Sequence, residues 1–431
     1  MAEYVDNTSK VLSGEMSTMD FICGTAESKH ARCKEKDPDS LWTYDIQIAT
    51  WCQIRDAHKN GKKLIFFGGP VPVDLIYAFD CQPYYLDQLP LSLAPNTEIA
   101  AKYIDLCERH TNQSMCALDK IELGAMLAGQ YGVEPDAFVY STVPCDSSRI
   151  AYPNMQKILN KPTFTFDTPF RRDERGQQYL IKQTHEFIAF MEEFTGTKFD
   201  WDKFKETMKI ANASTELLVK CANQRKHTPC PLPGRLLIAN ACMSGQAADP
   251  ALTDFLQHEY DMGQMIIDMG MGACQSGEKY RMLFHQNMLW ENVKTYSYLE
   301  NNYGAICIMD VLGHFLGDFY EHMDDRDDCF KVLAKKMMNF PMIHGAAGPV
   351  DYYTDRIKYL MDNFNINVSV FLGHVGCKHT WASTKILSDY IQEHYGMPTL
   401  LLDVDCIDGR YKSPDEIQSA IVEYLENVVR I

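Results

Sequence analysis

Three of the fifteen cysteines in this 431-residue chain are set apart by their surroundings. Cys116 closes the run Asn112-Gln113-Ser114-Met115-Cys116 and leads into Leu118–Leu127, a stretch of helical character. Cys145 follows Pro144, between a strand-like run and the next helix, and Cys377 has the same setting with Lys378 behind it. A helix start carries partial positive charge and free amide hydrogens, which stabilise a thiolate or the anionic sulfides of a metal cluster. Lys378 is placed to lower the Cys377 pKa further. Because His374 and His379 flank Cys377, a mixed Cys/His zinc site is a rival. The plain alternative is that all three are small buried apolar residues, as most free cysteines are. Cys81 and Cys406 are expected in core or supporting positions rather than as a fourth ligand.

The elements that must position these thiols read as α/β. Short β-rich runs bounded by turn residues mark strands at Lys63–Phe67, Ala137–Thr142, Thr163–Phe166, Tyr280–Phe284, Ala305–Met309, Val368–Leu372 and Thr399–Leu402. Amphipathic stretches alternate with them, including Pro72–Phe79, Asn154–Leu159, Ser383–Tyr395 and Pro414–Val428. Strands alternating with helices imply parallel sheets. The middle is helical in pattern, as in Gln178–Thr195 and Phe204–Cys221, with a Pro-rich turn at Pro229–Gly234. The expected architecture is two related parallel-sheet, flavodoxin- or Rossmann-like domains joined by a mainly helical segment. The boundaries are 1–58 (N-terminal helical segment), 59–176 (first α/β domain), 177–275 (helical segment) and 276–431 (second α/β domain).

An internal repeat links two of the thiols. Ala137–Thr142 runs into Pro144-Cys145-Asp146, a helix, and then Pro162-Thr163-Phe164-Thr165-Phe166-Asp167. Val368–Leu372 runs into Gly376-Cys377-Lys378, a helix, and then Pro398-Thr399-Leu400-Leu401-Leu402-Asp403. Each unit sets a Cys just beyond the carboxyl end of a strand, where open parallel sheets collect their ligands. Two such domains facing each other would bring Cys145 and Cys377 to a shared cleft. Asp146, Asp167, Asp403 and Asp405 at strand ends are expected to cap helices and orient loops.

Composition excludes some partners. With 58 Asp and Glu against 41 Lys and Arg the formal net charge is -17. That argues against sequence-independent nucleic-acid binding, which needs a basic surface. The longest apolar runs, such as Leu64–Phe67, fall far short of the roughly 20 residues that span a bilayer. Met1–Gly14 lacks an apolar signal core. Scattered cysteines without close pairs fit free thiols in a reducing, cytoplasmic setting. No Gly-x-x-x-x-Gly-Lys-Ser/Thr loop is present, so ATP hydrolysis is not expected of this chain.

At these residues the chain resembles the 2-hydroxyacyl-CoA dehydratase and benzoyl-CoA reductase family. Asn367–Arg410, with Val375-Gly376-Cys377-Lys378 and Gly396-Met397-Pro398-Thr399 through Asp403-Val404-Asp405-Cys406-Ile407-Asp408-Gly409-Arg410, looks like the family's C-terminal signature. Glu193–Asp200 and Ala211–Ser214 are similar to the larger subunit of 2-hydroxyglutaryl-CoA dehydratase. Lys279–Phe284 followed by Trp290 fits the start of the family's second domain. The likeness covers roughly residues 60 to 430.

It implies a 4Fe–4S cluster on Cys116, Cys145 and Cys377 with one open iron site. It also implies an acyl-CoA substrate, a homologous second subunit in a heterodimer, and a separate ATP-hydrolysing iron–sulfur activator. The reaction implied is loss of water from a 2-hydroxyacyl-CoA. One electron turns the thioester carbonyl into a ketyl, which expels the 2-hydroxyl; the enoxy radical releases its C3 proton to a base, and the electron returns. The alternatives are an ATP-dependent benzoyl-CoA-type reductase and a non-catalytic electron-transfer protein of the same fold. Asp74, after Pro70-Val71-Pro72-Val73, is the candidate acid or base, in a position where family members often carry the longer Glu. The competing role is an Asp at a helix N-terminus. His285 is a weaker candidate, more in keeping with a satisfied histidine.

Overall fold

The computed structural model describes residues 6–237, 246–285, 288–310, 313–314 and 317–429. Among them run eight strands in two four-stranded sheets, parallel throughout. The first holds β1 (Leu64–Gly68), β2 (Gln82–Tyr85), β3 (Ala137–Ser141) and β4 (Thr163–Phe166), in the order β2-β1-β3-β4. The second holds β5 (Tyr280–Phe284), β6 (Ala305–Asp310), β7 (Val368–His374) and β8 (Thr399–Val404), in the order β6-β5-β7-β8. Strand for strand the two orders are the same, so the repeat read from two loops extends to whole sheets.

The physical basis is ordinary for parallel sheets. β1, β3, β6 and β7 are buried along their whole length, as covering helices on both faces require. Seven strands lie where β-rich runs mark them. The eighth, β2, has no such run: Gln82-Pro83-Tyr84-Tyr85 is short, and its proline lacks the N–H that a central strand needs. It pairs with β1 alone, at the edge of the sheet.

In each sheet the chain leaves the first strand, adds a neighbour on one side, then returns to the other side. The loops after β1 and β3 therefore part at a crevice, as do those after β5 and β7, and such switch points are where ligands settle. The helical middle runs from Glu174 to Asp268 as Glu174–Thr195, Trp201–Gln224 and Pro250–Asp268, each capped by an aspartate side chain (Asp173, Asp200, Asp249). Its Pro-rich turn is fastened by the buried Arg225, which donates to the Leu232 and Pro233 carbonyls at 3.1 and 3.0 Å. Among the described residues no helix is long and apolar enough to cross a membrane.

Candidate functional site

Each of the three cysteines is the residue immediately before a helix. Cys116 caps Ala117–Leu127, Cys145 caps Asp146–Leu159 and Cys377 caps Lys378–Tyr395. The second helix starts earlier than its amphipathic pattern, running straight through Pro153. Cys145 and Cys377 sit past β3 and β7, the strands on the far side of each switch point. The loop after β1 closes on the same place: Gly69 has φ +73°, and a Cβ there would lie 2.6 Å from the Val143 carbonyl oxygen.

The two halves meet across these thiols. Cys116 Sγ lies 3.1 Å from His374 Nε2, at the end of β7. Lys378 Nζ donates to Asp146 Oδ2 at 2.8 Å and to the Ser114 carbonyl at 3.2 Å. A Cβ on Gly376 would stand 2.6 Å from Cys116 Cα, so only glycine permits this approach. Cys145 is close enough to both Cys116 and Cys377 for charge on one thiol to be felt by the next. Cys406, buried behind them, interacts in the same way with Cys116 and Cys377. Cys81 is buried among apolar residues, with its Sγ on the Phe79 carbonyl.

Electrostatics here are governed by burial. It pushes the Cys145 thiol up to about 12, with Asp119 the next contributor, and raises Cys116 and Cys377 as well. For Cys377 the Lys378 ammonium does act to lower the pKa, as expected, but burial outweighs it. The same ammonium is paired with Asp146. That ion pair is half exposed and worth at most about 1 kcal/mol; its value is in alignment across the cleft. Below the thiols, Asp119 is raised to about 7 by burial, and the Ser147 hydroxyl accepts the Cys116 N–H at 2.9 Å.

The donor set suits a soft, cationic centre. Three thiols raised by burial become thiolates when bound to metal, which takes the place of their protons. The helix starts then face the anionic sulfurs. Among the described residues no three His, Cys, Asp or Glu side chains gather around a point that would suit a single metal ion. The two histidines flanking Cys377 diverge: His374 turns to Cys116, and His379 Nδ1 lies 3.8 Å from Asp146.

Asp74 stands in the first turn of the Val73–Ala78 helix, following β1, and is 3% exposed. Its Oδ2 accepts from the Tyr320 hydroxyl and from Lys336 Nζ, both contributed by the second half of the chain. It lines a cleft of about 980 Å³ including its open mouth, together with Phe67, Tyr85, Asp318, Lys336 and Phe340. Gly69 is also a wall of this cleft, and Tyr85 is near enough to Cys145 to feel its charge. His285 is buried on Ser369 Oγ at 2.7 Å, and burial drives its pKa down to about 3. It is a satisfied neutral histidine. Among the strand-end aspartates, Asp405 accepts the Ile407 and Asp408 N–H groups and Asp403 the Tyr411 hydroxyl. These two orient loops, as expected.

Sequence reasoning missed His374 as a partner of Cys116. The repeat held a signal: His374 precedes Cys377 by the same three positions as Thr142 precedes Cys145. It also missed Glu291, whose two carboxyl oxygens are buried and meet no hydrogen-bond partner among the described residues. Burial raises Glu291 to about 8.

Comparison with known proteins places these features in context. A family model described as 2-hydroxyglutaryl-CoA dehydratase, D-component, matches residues 70–428. The (R)-phenyllactyl-CoA dehydratase alpha subunit of Clostridium sporogenes is 25% identical over 50% of this chain and 55% of its own length. The lactoyl-CoA dehydratase alpha subunit of Anaerotignum propionicum is 23% identical over 73% of this chain and 79% of its own. A benzoyl-CoA reductase subunit of Thauera aromatica is 19% identical over 91% and 95%. The chain thus spans little more than half the length of the first of these relatives.

Proposed function

Because this chain belongs to the 2-hydroxyglutaryl-CoA dehydratase D-component family, we propose that it is the iron–sulfur subunit of a 2-hydroxyacyl-CoA dehydratase. The observation that supports the reading is the placement of Cys116, Cys145 and Cys377, each at a helix start and near enough for charge on Cys145 to be felt by the other two. A 4Fe–4S cluster on those thiolates would keep one iron free of protein sulfur, supplying a low-potential electron and a Lewis-acidic position.

The elimination proposed is the radical one. A ketyl at the thioester carbonyl expels the 2-hydroxyl, and the enoxy radical gives its C3 proton to a protein base. The electron then returns, so the net change is loss of water alone. Asp74 is the base we assign: its carboxylate is held in the cleft by Lys336 and Tyr320, oriented rather than free to swing. The cleft walls are largely apolar, and Asp318 adds a second carboxylate to the Asp74–Lys336 pair. Such a lining favours an uncharged apolar acyl group over one ending in a carboxylate, which would meet like charge in a low-dielectric setting.

The relatives named as alpha subunits support a homologous second subunit. A separate ATP-hydrolysing iron–sulfur activator completes the proposed system. The near full-length likeness to a benzoyl-CoA reductase component favours one second reading, reduction of an aromatic acyl-CoA. Assay of the activated complex decides between them. Reversible hydration of an enoyl-CoA supports the dehydratase; consumption of an aromatic thioester without any hydration supports the reductase. A cluster with four protein ligands that is blind to acyl-CoA would point to an electron-transfer protein instead.

A further inference from the structure

His374 is tied to two of the three thiol-bearing residues at once. Its carbonyl accepts the Cys377 N–H at 2.9 Å, closing the turn after β7, while its ring crosses the interface to Cys116. The side chain is 4% exposed, and its tautomer follows from its neighbours. The Cys406 backbone N–H donates to Nδ1 at 3.3 Å, which makes Nδ1 an acceptor and leaves the ring proton on Nε2. The Asp405 carboxylate lies 3.4 Å from Nδ1, but its Oδ1 already accepts the Ile407 and Asp408 N–H groups at 2.9 Å each. The protonated nitrogen is therefore the one 3.1 Å from Cys116 Sγ.

We propose that His374 is a positioning residue that donates its Nε2–H to the Cys116 thiolate across the domain interface, fixing that sulfur and raising the reduction potential of the iron–sulfur group it holds. The inference rests on the cluster reading above. A hydrogen bond to a ligating sulfur draws electron density from it and favours the more negative, reduced state; such bonds are among the factors that set iron–sulfur potentials. In a system that must accept a low-potential electron, losing this donor makes the electron harder to deliver without removing any ligand.

The test uses the full chain, with its partner subunit where required, reconstituted anaerobically as wild type, His374→Leu and His374→Gln. Iron and acid-labile sulfide are counted, and the midpoint potential is read by titration followed by electron paramagnetic resonance. The expected result is wild-type iron in His374→Leu with a more negative potential, and a return toward wild type in His374→Gln, whose amide restores an N–H donor. An unchanged potential in iron-loaded His374→Leu overturns the inference. If His374→Leu loses its iron, His374→Gln decides: iron with a near wild-type potential supports the donor role, and any other result overturns it. Wild-type protein that binds no iron sinks the cluster reading itself, and this inference with it.

Discussion

Replacing Gly376 by Ala separates the role of the interface from the role of the fold. The added Cβ would lie 2.6 Å from Cys116 Cα and 3.1 Å from both Cys116 N and His374 Nε2. That is about 0.8 Å inside the 3.4 Å at which ordinary contact begins. The clash is with backbone that cannot swing aside: Cys116 caps the Ala117–Leu127 helix, and its N–H is held by Ser147. The two loops must therefore part. Overpacking of this kind costs about 1–3 kcal/mol, which lowers Tm by roughly 2–4 °C per kcal/mol in domains of this size. Metal sites are stricter, with ligand distances held to within about 0.2 Å. Gly376→Ala should thus lose most of its iron after anaerobic reconstitution while unfolding only several degrees earlier. Gly24→Ala, at an uncrowded helical position, is the control and should keep its iron. Iron content in Gly376→Ala equal to that of the control would refute the account of the interface.

Three further outcomes follow from buried charge. Asp74→Asn should abolish dehydratase turnover while leaving cluster content near wild type. Lys336→Met, which strands the Asp74 carboxylate beside Tyr320, should destabilise the chain by about 3–5 kcal/mol in a urea titration; turnover retained in Asp74→Asn removes Asp74 from the chemistry. For Glu291, folding raises the pKa from 4.5 to about 8, so the folded state binds the proton more tightly than the unfolded one. Its stabilising contribution is full below pH 4.5 and is lost as pH rises through about 8. Each unit of that displacement corresponds to about 1.4 kcal/mol. Relative to Glu291→Gln, the wild type should lose stability between about pH 5 and pH 8, and parallel urea midpoints across that range would contradict the assignment.

The sequence was most informative where local chemistry repeats. Strand, Cys and helix recur in order at Cys145 and Cys377, and the structure extends that likeness to two sheets of one topology. Hydrophobic runs marked the buried strands well because a doubly covered strand has little freedom of composition. β2 escaped because Pro83 reads as a breaker and its edge position tolerates it. What remained hidden depends on pairs far apart in the chain. The Asp74–Lys336 pair spans 262 positions and the Cys116–His374 pair 258, and no periodicity connects them. Lys378 was legible only in part: its adjacency to Cys377, and with it the lowering effect, is visible in sequence, whereas its pairing with Asp146 and the burial that dominates the thiol are properties of the assembled cleft.

The central claim is that Cys116, Cys145 and Cys377 together hold one cluster, and metal analysis of four single variants tests it most directly. Wild-type protein reconstituted without oxygen should carry about four iron and four acid-labile sulfide per chain. Cys116→Ser, Cys145→Ser and Cys377→Ser should each lose most of both. Cys221→Ser, a change between helices where the sulfur lies on the Leu256 carbonyl, should keep them. Wild-type protein without iron, or equal loss from Cys221→Ser, would contradict the account.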